Sequence, residues 1–188
     1  MDRSTKIAWL TWLLLWPLAS HAAGVEVPEL GIRFASLPAG VSSPELSAAP
    51  GARQLTIRLG TAVLDISRDN EPAPAGGDVA SPDYRATLDA RFDASVESKL
   101  AGAPTAVGGR GAWTVVDARP VTGSPPDASA ATAYTCVTYV IVDQHLYRML
   151  VSAAGTHRPA EFDALVQALA GITFEPAAAG AAAAAHGP

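Results

Sequence analysis

Two residue types that act together in many enzymes lie near each other in this sequence: Cys136, which is the only cysteine, and His145. A thiolate nucleophile needs its base within about 3 Å. Both residues fall in TAYTCVTYVIVDQHLYRMLVSA, whose apolar residues predict two strands joined by a turn at Asp143 and Gln144. In that hairpin six residues separate Cys136 from the level of His145, which is about 20 Å at ~3.3 Å per residue. The pattern therefore predicts a buried structural thiol and a solvated edge histidine, with no catalytic pair.

The turn also fixes which residues of the hairpin face each other. The expected pairs are Val142 with His145, Val140 with Tyr147, Thr138 with Met149 and Cys136 with Val151 on one face, and Ile141 with Leu146, Tyr139 with Arg148 and Val137 with Leu150 on the other. Both faces are largely apolar. A sheet built on this hairpin must be covered on both sides.

Other motifs that carry chemistry are weak or missing. The glycine cluster GGRG (108–111) precedes a predicted strand, whereas a phosphate loop follows a strand and opens a helix. No GxSxG motif is present. Beyond the N-terminal segment, His145, His157 and His186 are too far apart for a helical pair, so a zinc site would need carboxylates that the fold assembles. We expect no catalytic residues, no cofactor, no metal and no enzymatic activity, and a hydrolase with a hidden site is the least favoured alternative.

Arg110 and Trp113 are the residues that we predict for partner binding. Arg110 lies within the glycine-rich stretch 108–111, and Trp113 follows it two residues later. A single tryptophan at the start of a strand packs into a core more often than it contacts a ligand, because the indole buries a large area. The neighbouring glycines leave a role in binding a partner open.

The N-terminal segment has the composition of a secretory signal peptide. In residues 1–22, Arg3 and Lys6 precede an apolar run from Ile7 to Ala19, which ends near the small residues of a cleavage site. That run has 13 residues, fewer than the roughly 20 that a membrane-spanning helix needs. We therefore expect a periplasmic or secreted protein with no stable membrane anchor after cleavage.

Charge and length restrict the partners and the number of domains. Removing residues 1–22 from a chain with 13 basic and 18 acidic residues leaves 11 and 17, a net charge of −6. This balance argues against nucleic-acid binding, which needs clustered lysine and arginine. A single cysteine forms no internal disulfide, so a hydrophobic core must hold the fold. We predict one domain over residues 23–176 and a disordered alanine-rich tail over residues 177–188.

Two amphipathic helices are expected to cover the sheet. The first begins at Ser81, has Pro82 in its first turn and ends before Gly102 and Pro104. Its apolar stripe is Tyr84, Leu88, Phe92, Val96 and Leu100. The second runs from Pro159 to Ala170, ends at Gly171, and has Phe162, Leu165, Val166 and Leu169 on one side.

The remaining strands are read from alternation and turn residues. A short strand is predicted from Ile32 to Ala35, and a hairpin in QLTIRLGTAVLDISRDN turns near Gly60. A further strand is expected from Ala112 to Ala118, and Ile172 and Phe174 form a final extended piece. Residues 41–52, rich in serine, proline and alanine, are predicted to be a loop.

With GIRFASLPAG near its start, YVIVDQHLYRMLVSA in its middle and PAEFDALVQALAGITFEP near its end, the chain resembles the PsbP-like and DcrB-like exported proteins of bacteria and chloroplasts. The similarity covers about Gly31 to Phe174. It implies an α+β fold in which an antiparallel β-sheet is flanked by helices on both faces, an α/β/α sandwich. Members of this group look like non-enzymatic accessory or binding proteins. The lipid-attachment cysteine of many bacterial relatives is absent here.

These observations favour an exported accessory domain that binds a protein partner through its loops and one sheet edge. An immunity-type inhibitor of a toxic enzyme is the alternative, since the acidic charge would steer it towards a basic target.

Overall fold

The computed structural model describes residues 24–73, 77–84, 102–121 and 131–175. The strands are β1 (Val25–Val27), β2 (Ile32–Phe34), β3 (Glu45–Ala49), β4 (Ala52–Leu59), β5 (Ala62–Pro72), β6 (Gly102–Val107), β7 (Arg110–Pro120), β8 (Thr132–Val142), β9 (His145–Gly155) and β10 (Ile172–Phe174). The helix α1 (Ala160–Ala170) lies between β9 and β10, and residues 82–84 form a helical turn.

Two antiparallel sheets make up the fold. Seven strands form the larger sheet in the order β3-β4-β5-β9-β8-β7-β6, and three form the smaller one in the order β1-β2-β10. Of the described residues, 59% are in strands and 11% in helices. The expected α/β/α sandwich, with helices flanking one sheet on both faces, is therefore wrong. The prediction assigned the cover of the large sheet to helices alone, whereas the second sheet provides part of that cover.

The long hairpin β8–β9 matches the sequence prediction pair for pair. Its register joins Val142 to His145 and Cys136 to Val151, and all the intermediate pairs are as expected. Asp143 and Gln144 both have positive φ, 49° and 65°, as a two-residue turn requires to match the twist of the flanking strands. Each face of the hairpin contributes to a separate hydrophobic cluster.

The main core lies between the inner face of the large sheet, α1 and the small sheet. Phe162 and Leu165 of α1 and Phe34 of β2 are fully buried there. The Tyr147 hydroxyl donates a 2.6 Å hydrogen bond to the Leu30 carbonyl oxygen, and its ring meets that of Phe174 with centroids 5.2 Å apart. β9 is thus connected to both the β1–β2 turn and β10.

A smaller cluster lies on the outer face. Val137, Tyr139 and Leu146 are buried there together with Val79 and Tyr84 from the segment 77–84. The backbone N–H of Tyr84 donates to the Ser81 side-chain oxygen over 3.2 Å, which confirms Ser81 as a helix N-cap. The rest of that predicted helix falls in 85–101, outside the described residues.

Two edge strands of the large sheet were missed. Residues 41–52, expected to be a loop, contain β3, and the residues expected to end the first helix form β6. The GGRG stretch is the β6–β7 hairpin turn, with φ of 56° at Gly108 and 73° at Gly109. β3 has only five residues, and β6 consists mostly of small residues and contains Pro104. Neither strand therefore carries a run of alternation long enough to mark a half-buried strand.

The second predicted helix is confirmed as α1. Pro159 precedes it, Gly171 ends it, and the buried residues are Phe162, Leu165, Ala168 and Leu169, with Val166 partly buried. No helix among the described residues has the length and apolarity needed to cross a membrane. The predicted signal peptide (1–22) and tail (177–188) lie outside the described residues.

Candidate partner-binding surface

Cys136 and His145 are placed far apart by the β8–β9 register. Cys136 is 2% exposed in the main core, where burial raises the pKa of its thiol, while the Thr138 side chain and the charge of Arg158 lower it less. The Nδ1 atom of His145 lies 3.0 Å from the Asp69 carbonyl oxygen. His145 is half-buried against the end of β5, so the expectation of a solvated edge histidine is wrong. The reason is that β5 extends alongside this end of β9, where Pro72 pairs with His145.

The buried thiol gives a pH dependence of stability. Because burial raises its pKa, the folded state keeps the Cys136 proton at pH values where the unfolded chain has lost it. The free energy of unfolding is expected to fall as the pH rises above about 8.5, the ordinary thiol value. Chemical unfolding from pH 7 to 10 measures this slope. Cys136→Ala should flatten it below the titration range of Tyr147, and an unchanged slope in this variant would contradict the assignment.

Trp113 and Arg110, the predicted partner-binding residues, do not share a face of β7. Trp113 pairs with Tyr139 on the outer face, whereas Arg110 lies at the turn and, an odd number of residues away, projects towards the inner face. The Trp113 ring lies over Gly102 so closely that a Cβ there would collide with the indole. Trp113 is half-buried and Arg110 is exposed. Their role in partner binding stays a prediction. A partner that contacts both residues would have to bind both faces of the sheet around its β6 edge.

The two edges of the large sheet differ in character. Pro104 lies in the middle of β6, and a proline there hinders the addition of another strand. β3 has no proline within Glu45–Ala49, and its side chains from Glu45 to Ala48 are exposed. Among them Leu46 stands out as a large hydrophobic residue that is 47% exposed.

A groove of about 350 Å³ runs beside β3. It is lined by Glu29, Leu46, Ser47, Ala48 and Arg53. The Arg53 guanidinium donates a 3.0 Å hydrogen bond to the Glu29 carbonyl oxygen, which connects β4 to the β1–β2 turn. The groove therefore has an aliphatic side chain at its rim and a fixed polar wall.

A second groove, of about 600 Å³, lies between α1 and residues 36–39. Its lining residues are Ser36, Pro38, Ala39, Ala164, Gln167, Ala168, Ala170 and Gly171. None of these lining side chains is titratable, so they offer no general acid or base. Across the described residues no three histidine, cysteine, aspartate or glutamate side chains are grouped to hold a metal ion.

Comparisons with known proteins identify no family. No family model matches the chain, and no curated protein matches it either. Among solved structures, a protein of Bacteroides thetaiotaomicron VPI-5482 is similar at a TM-score of 0.49 and 9% sequence identity. The match covers 81% of this chain and 48% of that chain, so this chain spans about half the length of its structural neighbour. At this level of similarity neither fold nor function is carried over.

Sequence reasoning missed the open β3 edge. The signal that could have revealed it is Pro50-Gly51, with Gly51 at φ 82°, since proline followed by glycine is typical of a type II turn. Leu46 and Leu55 face each other across that turn.

Proposed function

We propose that this protein is an exported accessory domain, without catalytic activity of its own, that binds a protein partner through an edge of its seven-stranded sheet. The observation that carries the proposal is β3, an edge strand with an exposed Leu46 beside a groove. Protein folds usually protect such edges, because unpaired backbone groups accept another strand. Recognition by strand addition uses those backbone groups for affinity and side-chain pockets for specificity.

The composition supports export and a protein partner. The N-terminal residues 1–22 have the features of a secretory signal, and the net charge of −5 for the whole chain disfavours nucleic acid. The resemblance to PsbP-like and DcrB-like proteins points to the same kind of accessory role.

Site-specific photo-crosslinking tests this function. The full chain, produced in its native cell with p-benzoylphenylalanine in place of Ser47, is expected to form an adduct with one protein partner. The matched control carries the same photoreactive residue in place of Ala106, which is exposed on the opposite edge strand β6. Adducts at position 47 and not at 106 support the proposal, whereas adducts at neither position, or equally at both, overturn it.

A further inference from the structure

Among the described residues β3 pairs with β4 alone, and the backbone groups that it does not use for this pairing belong to two residues. The two-residue turn at Pro50 and Gly51 makes Ala49 and Ala52 a hydrogen-bonded pair. Bonded and non-bonded pairs then alternate along the register, so Ser47 and Glu45 also bond to β4. The N–H and C=O groups of the two residues in between, Leu46 and Ala48, consequently point away from β4 and towards the open edge.

The same alternation of bonded and non-bonded pairs explains why the outward backbone groups of β6 differ from those of β3. Its turn makes Val107 and Arg110 a bonded pair, and therefore the backbone groups of Ala106 and Pro104 point outward. Proline has no N–H to offer, so the outer row of β6 lacks a donor at Pro104. β3 keeps its complete outer row of donors and acceptors.

Side chains on the two faces of β3 have different characters. Leu46 faces the same side as the fully buried Leu55 and contributes to the groove with Ala48. Glu45 faces the outer side, in a cross-strand row with Thr56 and Asp65. Thr56 donates a hydrogen bond of 2.5 Å to the Asp65 carboxylate, and this row holds two acidic side chains and no basic one.

Resting on the proposed function, we infer that β3 receives an antiparallel strand of the partner with the pattern aliphatic, polar, aliphatic, basic. Read from its N-terminal end, the first aliphatic residue lies opposite Ala48 and the second opposite Leu46, where both exchange backbone hydrogen bonds. The basic residue then lies opposite Glu45, because antiparallel strands run in opposite directions. Directly opposed charges of opposite sign stabilise a strand pair, and like charges destabilise it.

Synthetic strands test this pattern on the full-length protein. The probe is acetyl-SVTVRS-amide, and its matched control is acetyl-SVTVES-amide, in which only the charge opposite Glu45 is inverted. By NMR titration we expect the first peptide to bind at least about tenfold more tightly than the second. Binding should slow amide hydrogen exchange at Leu46 and Ala48 selectively. Methylating the backbone nitrogens of both valines should abolish binding, since those N–H groups point at β3.

Two proline variants provide the matched pair on the protein side. Ala48→Pro removes an N–H that points away from β4 and should eliminate peptide binding. Ala106→Pro makes the same change at the corresponding outward position of β6 and should leave binding unchanged. Circular dichroism establishes that both variants keep their sheets, which is expected because each lost donor faces the open edge.

The outcomes separate this inference from the proposed function. If the crosslink at position 47 captures a partner but the arginine peptide does not slow exchange at Leu46 and Ala48, the strand pattern is wrong and the proposed function stands. Equal binding of the two peptides would show that β3 has no preference for a basic residue opposite Glu45. If these two amides are already protected without peptide, the edge is occupied by a second copy or by another segment of this chain, and the inference fails. If no adduct forms at position 47, both the proposed function and the inference are wrong.

Discussion

Replacing Phe162 with alanine is expected to lower the free energy of unfolding by about 3–5 kcal/mol. The side chain is 0% exposed, and its ring lies 6.2 Å from that of Tyr134 on β8. The Arg158 guanidinium carbon lies 4.9 Å from the same ring. Truncation leaves a cavity between α1 and the inner face of the sheet that its rigid strands cannot close. Because small domains are stable by only about 5–15 kcal/mol, urea unfolding should show a large shift of the midpoint.

Val116 provides the control for Phe162. It lies on the inner face of β7, where it pairs with Cys136, but it is 53% exposed. Val116→Ala should therefore change the free energy of unfolding by no more than about 0.5 kcal/mol. If Phe162→Ala were no more harmful than Val116→Ala, α1 would not form part of the core.

The sequence predicts those parts of the fold whose signals are local and repeated. In the β8–β9 hairpin eleven residues on each side alternate around one turn, so a single choice of turn determines every pair. In α1 the apolar spacing, Pro159 and Gly171 define both ends. In both cases each residue's role follows from neighbours within a few positions.

The parts that it does not predict depend on contacts between distant segments. β10 pairs with β2, so that Ile172 lies opposite Phe34. Strands of three residues carry too little sequence pattern for this pairing to be predicted. The smaller sheet was for this reason missed, and with it the covering of the inner face. The apolar residues of the hairpin do require a cover on each side, but they do not specify whether helices or strands supply it.

In the candidate surface, too, local features can be predicted from the sequence and features that depend on distant segments cannot. That Glu45–Ala49 forms a strand could have been inferred from the Pro-Gly turn that follows it. Its place at the end of the sheet could not, because strand order is a property of the whole topology. Arg110 and Trp113 are close in sequence, yet strand alternation places them on opposite faces, a conclusion that required knowing that β7 begins at Arg110.

Gly108→Ala is expected to lower the free energy of unfolding by about 2–4 kcal/mol, through two separate effects. Gly108 has a φ of 56°, which is costly for any residue with a Cβ. The added Cβ would also lie 2.8 Å from Cδ2 of Phe174 and 3.0 Å from the Ile172 carbonyl oxygen. The carbonyl belongs to the backbone of β10 and cannot move without disturbing its pairing with β2. Thermal unfolding followed by circular dichroism measures the loss.

Gly109→Ala isolates the conformational part of that cost. Gly109 has a φ of 73°, and a Cβ there would meet no atom within 4 Å, so only the positive-φ penalty of roughly 1 kcal/mol applies. The difference between the two variants then measures how tightly the β6–β7 turn packs against β10. Equal losses would mean that this turn does not contact the smaller sheet.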